Sequence, residues 1–146
     1  MEKTWVLVAD TSRARIFQAD KPRGPLSEVE TLVHTESRLH EQDLTADRRP
    51  GRNSGGNGGN GHSMGHEEDP KRQEGIRFAK HVSQYLDSAH NERRFERLYV
   101  VAAPSFLGDL RHNLGKPVSG AINAEIPKNV TRLSAGDIRQ HLPERL

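Results

Sequence analysis

Between Thr35 and Gly75 the chain offers only four apolar side chains, Leu39, Leu44, Ala46 and Met64. A stretch that poor in apolar groups cannot bury enough surface to offset its ordering entropy. Any compact fold must therefore be assembled from the two flanking pieces, 1–34 and 76–146. Those 105 positions carry 43 apolar residues, about 41%, against 32% for the whole chain. That is an ordinary value for a packed protein. With 146 residues in all, the expectation is one domain over 1–146, carrying a flexible insertion at about 35–73.

The flanking pieces read as alternating strands and helices. Trp5-Val6-Leu7-Val8-Ala9 is an unbroken run of β-formers, as a central strand covered on both faces requires. Asp10-Thr11-Ser12-Arg13 supplies turn residues, and Ala14 to Ala19 resumes with Ile16 and Phe17, so the two runs form a hairpin. Lys21-Pro22-Arg23-Gly24-Pro25 breaks the chain again. From Glu28 to His34, Val29, Thr31 and Val33 alternate with Glu28, Glu30 and Leu32, which predicts a strand with one wet face near a sheet edge.

Within the insertion, Thr35 to Asp47 is charged and has room for a short helix. Gly51 to Gly65 is mostly Gly, Asn, Ser and His, with Gly-Gly-Asn-Gly at 55–58 and again at 58–61, and disorder is expected there. A helix follows from about Pro70 to Ala89, with Phe78, Ala79, Val82, Tyr85, Leu86 and Ala89 on one stripe. Leu98 to Ala103 is a second buried-type strand. Pro104 opens a helix burying Phe106, Leu107, Leu110 and Leu114, and Gly115 ends it. Ile122, Ala124 and Ile126 predict a short last strand. Ser134 with Asp137 three residues on resembles a capping box, starting a helix that buries Ile138 and Leu142. The resulting order, β-β-β-α-β-α-β-α, closes into a mixed five-stranded sheet flanked by helices, the order of an RNase H-like α/β fold.

Cysteine is absent, which excludes disulfides, thiol catalysis and Cys-ligated metals. The apolar run near the N-terminus is too short for a signal-peptide core or a membrane span, so a cytoplasmic protein without membrane contact is expected. A net charge of +2 gives no global field calling for nucleic acid, although basic residues cluster locally.

Trp5-Val6-Leu7-Val8-Ala9-Asp10 and Ala14-Arg15-Ile16-Phe17 together resemble the start of the bacterial host-attachment protein family. So do Glu36-Ser37-Arg38, Asp47-Arg48-Arg49-Pro50-Gly51-Arg52, the helix around Phe78-Ala79, and Ala103-Pro104-Ser105-Phe106-Leu107-Gly108-Asp109-Leu110-Arg111. The resemblance runs over nearly the whole chain. That family is in turn similar to the middle domain of archaeal and eukaryotic peptide-chain release factors. The similarity implies an RNase H-like fold presenting a glycine loop to peptidyl-tRNA in the ribosome. Here the tripeptide ends in Asn57 or Asn60 where the release factors have Gln.

Several chemistries then compete. Gly55, Gly56, Gly58 and Gly59 permit a loop that threads a narrow site or offers backbone N–H groups to a phosphate. Arg48, Arg49, Arg52, Lys71, Arg72 and Arg77 stand at its bases, where they would contact RNA phosphates. A solvated linker with flanking charges is the plainer reading, and the acids Glu67, Glu68 and Asp69 favour it. Peptidyl-tRNA hydrolysis would need Asn57 or Asn60 to orient a water with one methylene less reach than Gln, and displacements of about 1 Å cost on the order of 100-fold. A two-metal nuclease site could draw on Asp10, Glu74 and Asp137, but Ala102-Ala103-Pro104 supplies no carboxylate at the end of the second buried strand. Asp10 is more simply a turn former. His62 and His66 have metal-pair spacing, but a glycine-rich loop lacks the rigidity a designed site needs. Ser105 lacks a nucleophile-elbow context.

The leading expectation is a translation-associated module that binds ribosome or tRNA without strong catalysis and without a cofactor. The alternatives are a protein-interaction domain in bacterial attachment or stress physiology, its loop ordering on a protein partner, and a metal-dependent hydrolase. Composition does not set the oligomeric state.

Overall fold

The computed structural model describes residues 3–34 and 70–146. Three antiparallel strands open the chain: β1 (Thr4–Ala9), β2 (Arg13–Ala19) and β3 (Ser27–Val33). After the long connection come α1 (Pro70–Asn91), β4 (Arg97–Ala102), α2 (Pro104–Asn113), α3 (Lys116–Ala121), β5 (Ile122–Ile126) and α4 (Ala135–Gln140). The strands form one sheet in the order β3-β2-β1-β4-β5. β1 pairs antiparallel with β2 and parallel with β4, and β5 runs parallel to β4. The mixed five-stranded α/β architecture expected from the sequence is present, with one more helix, α3, than the expected order held.

The alternation of side chains along β1 divides the core in two. Trp5, Leu7 and Ala9 face α1 and α2, where they meet Phe78, Val82, Leu86, Phe106 and Leu110. Val6 and Val8 face the opposite way, toward Phe17, Val101, Val130, Ile138 and Leu142. Every residue of β1 is buried, as a strand with neighbours on both edges and helices on both faces must be. Each large side chain so buried contributes roughly 1.5–3 kcal/mol relative to exposure.

On the face of α4, cationic clamps replace a second long helix. The Arg15 guanidinium donates Nη1 to the carbonyls of Thr131 and Leu133, at 2.9 and 2.7 Å. Arg139 donates to the carbonyls of Pro22, Gly24, Pro143 and Glu144, which fastens the C-terminal tail to the β2–β3 turn. Ser134 caps α4, its hydroxyl accepting the Asp137 N–H at 3.1 Å, as the sequence predicts.

β3 lies at the sheet edge, as expected, but departs from expectation in its faces. Its alternation predicted one dry face, yet six of its seven residues are exposed and only Leu32 packs partly against the core. The strand lies outermost, and among the described residues no helix covers it. The expected short helix within 35–47 and the expected disorder of 51–65 fall outside the described residues.

Candidate functional site

The parallel run of β1, β4 and β5 carries their carboxyl ends to one edge of the sheet, and β3, antiparallel to β2, ends there too. The chain leaves β1 toward β2 on one side and leaves β4 toward β5 on the other. Such a reversal opens a crevice outside the carboxyl ends, where open α/β sheets bind ligands.

At the end of β1, Asp10 Oδ1 accepts the backbone N–H groups of Ser12 and Arg13 at 2.8 and 3.0 Å, closing the hairpin turn. Its Oδ2 accepts the hydroxyl of buried Thr131 at 2.9 Å, and that hydroxyl also stands 2.9 Å from Asn129 Oδ1. Asp10 thus locks the hairpin to the segment that follows β5. α1 crosses close above the turn: a Cβ on Gly75 would meet Thr11 Cγ2 at 3.1 Å. This is why the helix carries glycine where an alanine would otherwise serve better.

His34, where the described chain breaks off after β3, is held against α1, where it resumes. His34, the residue after β3, donates its backbone N–H to the Ser12 carbonyl at 3.1 Å. Its ring stacks on Phe78 of α1 with centroids 5.3 Å apart, and Phe78 in turn leans on Phe106 of α2 at 5.9 Å. His34 is buried, and among the described residues its Nε2 has no hydrogen-bond partner.

Cations follow from α1. Lys71, Arg72 and Arg77 lie exposed along its first eight residues. Arg72 reaches across to α2 and forks onto Asp109, Nη1 to Oδ2 at 2.5 Å and Nη2 to Oδ1 at 3.0 Å. The Asp109 carboxylate, accepting both bonds, holds the Arg72 pKa above the ordinary arginine value. Lys128 and Arg132 add positive charge from the segment that carries Thr131.

Of the residues singled out from sequence, Lys71, Arg72 and Arg77 share this edge. Arg48, Arg49, Arg52, Gly55, Gly56, Asn57, Gly58, Gly59, Asn60, His62 and His66 lie outside the described residues. The three carboxylates weighed for a nuclease are not brought together. Glu74 is on α1, which packs on one face of the sheet, and Asp137 is on α4, which packs on the other. Among the described residues no group of three His, Cys, Asp or Glu side chains could hold a metal ion. Asp109, Thr131 and Asn129 were not anticipated. Asp109 lies 37 residues from Arg72, and Thr131 lies 121 from Asp10. Local patterning carries no trace of pairs so distant.

Two hollows lie elsewhere. One, of about 590 Å³, runs along β5 between Arg111, Leu114 and Ser119. The other, of about 420 Å³, is lined by His90, Arg93, Phe95 and Glu96. Among the described residues no helix is long and apolar enough to cross a membrane.

The fold and this edge define an α/β protein built on a mixed five-stranded sheet whose long 35–69 connection starts and ends at the carboxyl side. Residues 5–142 match the family described as "Protein required for attachment to host cells", and the chain belongs to that family. No curated protein matches it. Among solved structures, it is similar to two crystal structures from Aquifex aeolicus, the Ppx/GppA phosphatase in its type II variant and the Ppx/GppA family member. Both align at 13% identity with a TM-score of 0.39, covering 86% of this chain. The chain spans 35% of the length of either.

Proposed function

We propose that this host-attachment-family protein is an RNase H-like module, akin to the middle domain of peptide-chain release factors, that binds ribosomal RNA or tRNA in the cytoplasm without strong catalysis. The observation that carries the reading is the stacking of His34 on Phe78 at 5.3 Å, which sets the residue where β3 ends against α1, the helix with which the described chain resumes. Lys71 and Arg77 lie on that helix, and Arg48, Arg49 and Arg52 are close to the glycines in sequence. Such a set would position a phosphate backbone without reading bases. The strand order β3-β2-β1-β4-β5, with β2 alone antiparallel to both neighbours, supports the RNase H-like assignment.

The test is co-sedimentation with ribosomes. Wild type should pellet at low salt and be released at high salt, since each phosphate contact contributes roughly 0.7–0.9 to the salt slope. Deleting 55–61 or changing Arg48, Arg49 and Arg52 to Gln should weaken pelleting, and Arg77→Gln should lower the slope by about one contact. Absence of pelleting at low salt overturns the proposal. Peptidyl-tRNA hydrolysis through Asn57 or Asn60 should stay near background.

A second reading, a protein-interaction domain in bacterial attachment or stress physiology, draws on one specific observation. Arg72 already holds a carboxylate, which lessens the charge offered to RNA. Such a domain would capture one protein from lysate regardless of nuclease treatment. A metal-dependent hydrolase draws nothing from Asp10, whose oxygens are committed to the hairpin turn and Thr131.

A further inference from the structure

Of the ion pairs Arg15–Glu28, Arg23–Glu144, Arg72–Asp109 and Arg111–Glu125, that of Arg72 has the least exposed carboxylate. The Asp109 side chain is 11% exposed and that of Arg72 48%, so a half-wet guanidinium is held by a nearly buried carboxylate. Arg23–Glu144, by contrast, is exposed on both sides at 60% and 85%. Asp109 is fixed in α2, where its carbonyl accepts Asn113 Nδ2 at 2.8 Å and its neighbour Leu110 is in the core. The carboxylate is nearly buried on α2, and Arg72 reaches across from α1 to meet it.

A bidentate carboxylate occupies the same guanidinium fork that a bidentate phosphate would take. An arginine in the first turn of α1, beside the exit of the 35–69 segment, is thus engaged and neutralised before any RNA arrives. We propose that Asp109 is an internal competitor for phosphate: it withholds Arg72 from the RNA backbone, and removing its charge converts Arg72 into a phosphate contact. This regulation of the cationic edge rests on the RNA-binding reading given above. The competition itself concerns Arg72 and any phosphate.

The experiment uses the full chain in wild-type form and as Asp109→Ala, with Asp109→Asn as the gentler variant should alanine fail to fold. The Arg72 Nε–H resonance is followed while inorganic phosphate is added, and ribosome pelleting is measured against salt in parallel. In wild type the resonance should hold still through millimolar phosphate, and in Asp109→Ala it should move saturably. The salt slope of ribosome binding should steepen in Asp109→Ala by roughly 0.7–0.9, one added contact, and return to the wild-type slope when Arg72→Gln is added. Arg72→Gln alone should leave the slope unchanged. A wild-type resonance that follows phosphate as readily as the variant overturns the proposal, as does a resonance that stays still in both. A phosphate response confined to the variant, with no pelleting of either form, sinks RNA binding and leaves the competition standing. Pelleting without the response sinks the competition alone.

Discussion

β1 and β3 share one sheet with only β2 between them, and both carry valines, but those valines meet different surroundings. Val6, Leu7 and Val8 are 0% exposed, while Val29 and Val33 are 39% and 37% exposed. The difference is one of neighbours. β1 has a strand on each edge and packed side chains on both faces, whereas β3, among the described residues, has β2 on one edge and little above or below it. Stability is therefore concentrated along β1, β4 and α1, and His34, just after β3, is anchored to that core through Phe78. The most direct way to break this contrast is a pair of truncations. Phe78→Ala should cost about 3–5 kcal/mol, and Val29→Ala should fall within about 0.5 kcal/mol. Urea unfolding measures both, and losses of equal size would refute the partition.

Gly75 sharpens the same contrast at the place where α1 passes over the β1–β2 turn. Two effects oppose each other in Gly75→Ala. Alanine gains up to about 1 kcal/mol from helix propensity, and the new Cβ, 3.1 Å from Thr11 Cγ2, costs roughly 1–3 kcal/mol by overpacking. The crowding should win, lowering the thermal midpoint. Thr11→Ser removes the offending methyl, so the double variant Gly75→Ala with Thr11→Ser should recover the loss and keep the propensity gain. A double variant no better than Gly75→Ala alone would show that the close approach is not what demands glycine.

What the sequence disclosed follows from the range over which each signal acts. The run Trp5 to Ala9 announced a buried strand because every residue in it is apolar, and Ser134 with Asp137 announced a helix start because a cap is three residues long. α3 escaped notice for the opposite reason. Lys116-Pro117-Val118-Ser119-Gly120-Ala121 buries only Val118, and six residues are too few to display a helical period. Its Pro and Gly read as loop residues, although Pro117 sits in the first turn, where its missing N–H does no harm. Phe95 was unread as well. It lies between α1 and β4, where no period applies, and is held by stacking on Trp5 at 4.8 Å. β3 shows the converse error: its alternation was genuine, but alternation says that one face can be dry without saying that anything covers it. At the site, cation identities were readable for Lys71, Arg72 and Arg77, and what Arg72 touches was not, because Asp109 arrives from a different helix.

The smallest effect concerns a charged tie between β3 and β2, the pair Arg15–Glu28. Arg15 donates Nε and Nη2 to the Glu28 carboxylate at 3.1 and 3.0 Å, and the Thr31 hydroxyl donates to the same carboxylate at 2.7 Å. Hydrogen bonding by Arg15, above all, holds the Glu28 carboxyl below the ordinary glutamate value of 4.5, with partial burial pulling the other way. A pKa lowered by folding contributes stability that is present above the unfolded value and fades as pH falls through the folded one. Glu28 is 35% exposed, so solvent screening limits the contribution to at most about 1 kcal/mol. Glu28→Gln should therefore unfold at slightly lower urea than wild type at pH 7, and the gap should close below pH 4.5 as the wild-type carboxyl protonates. Arg15 itself would stay in place in that variant, because the Thr131 and Leu133 carbonyls still hold Nη1. A gap that persists unchanged through acid would mean that Glu28 stabilises β3 by packing or by its bond from Thr31. The charged tie between edge strand and core would then be an accident of geometry.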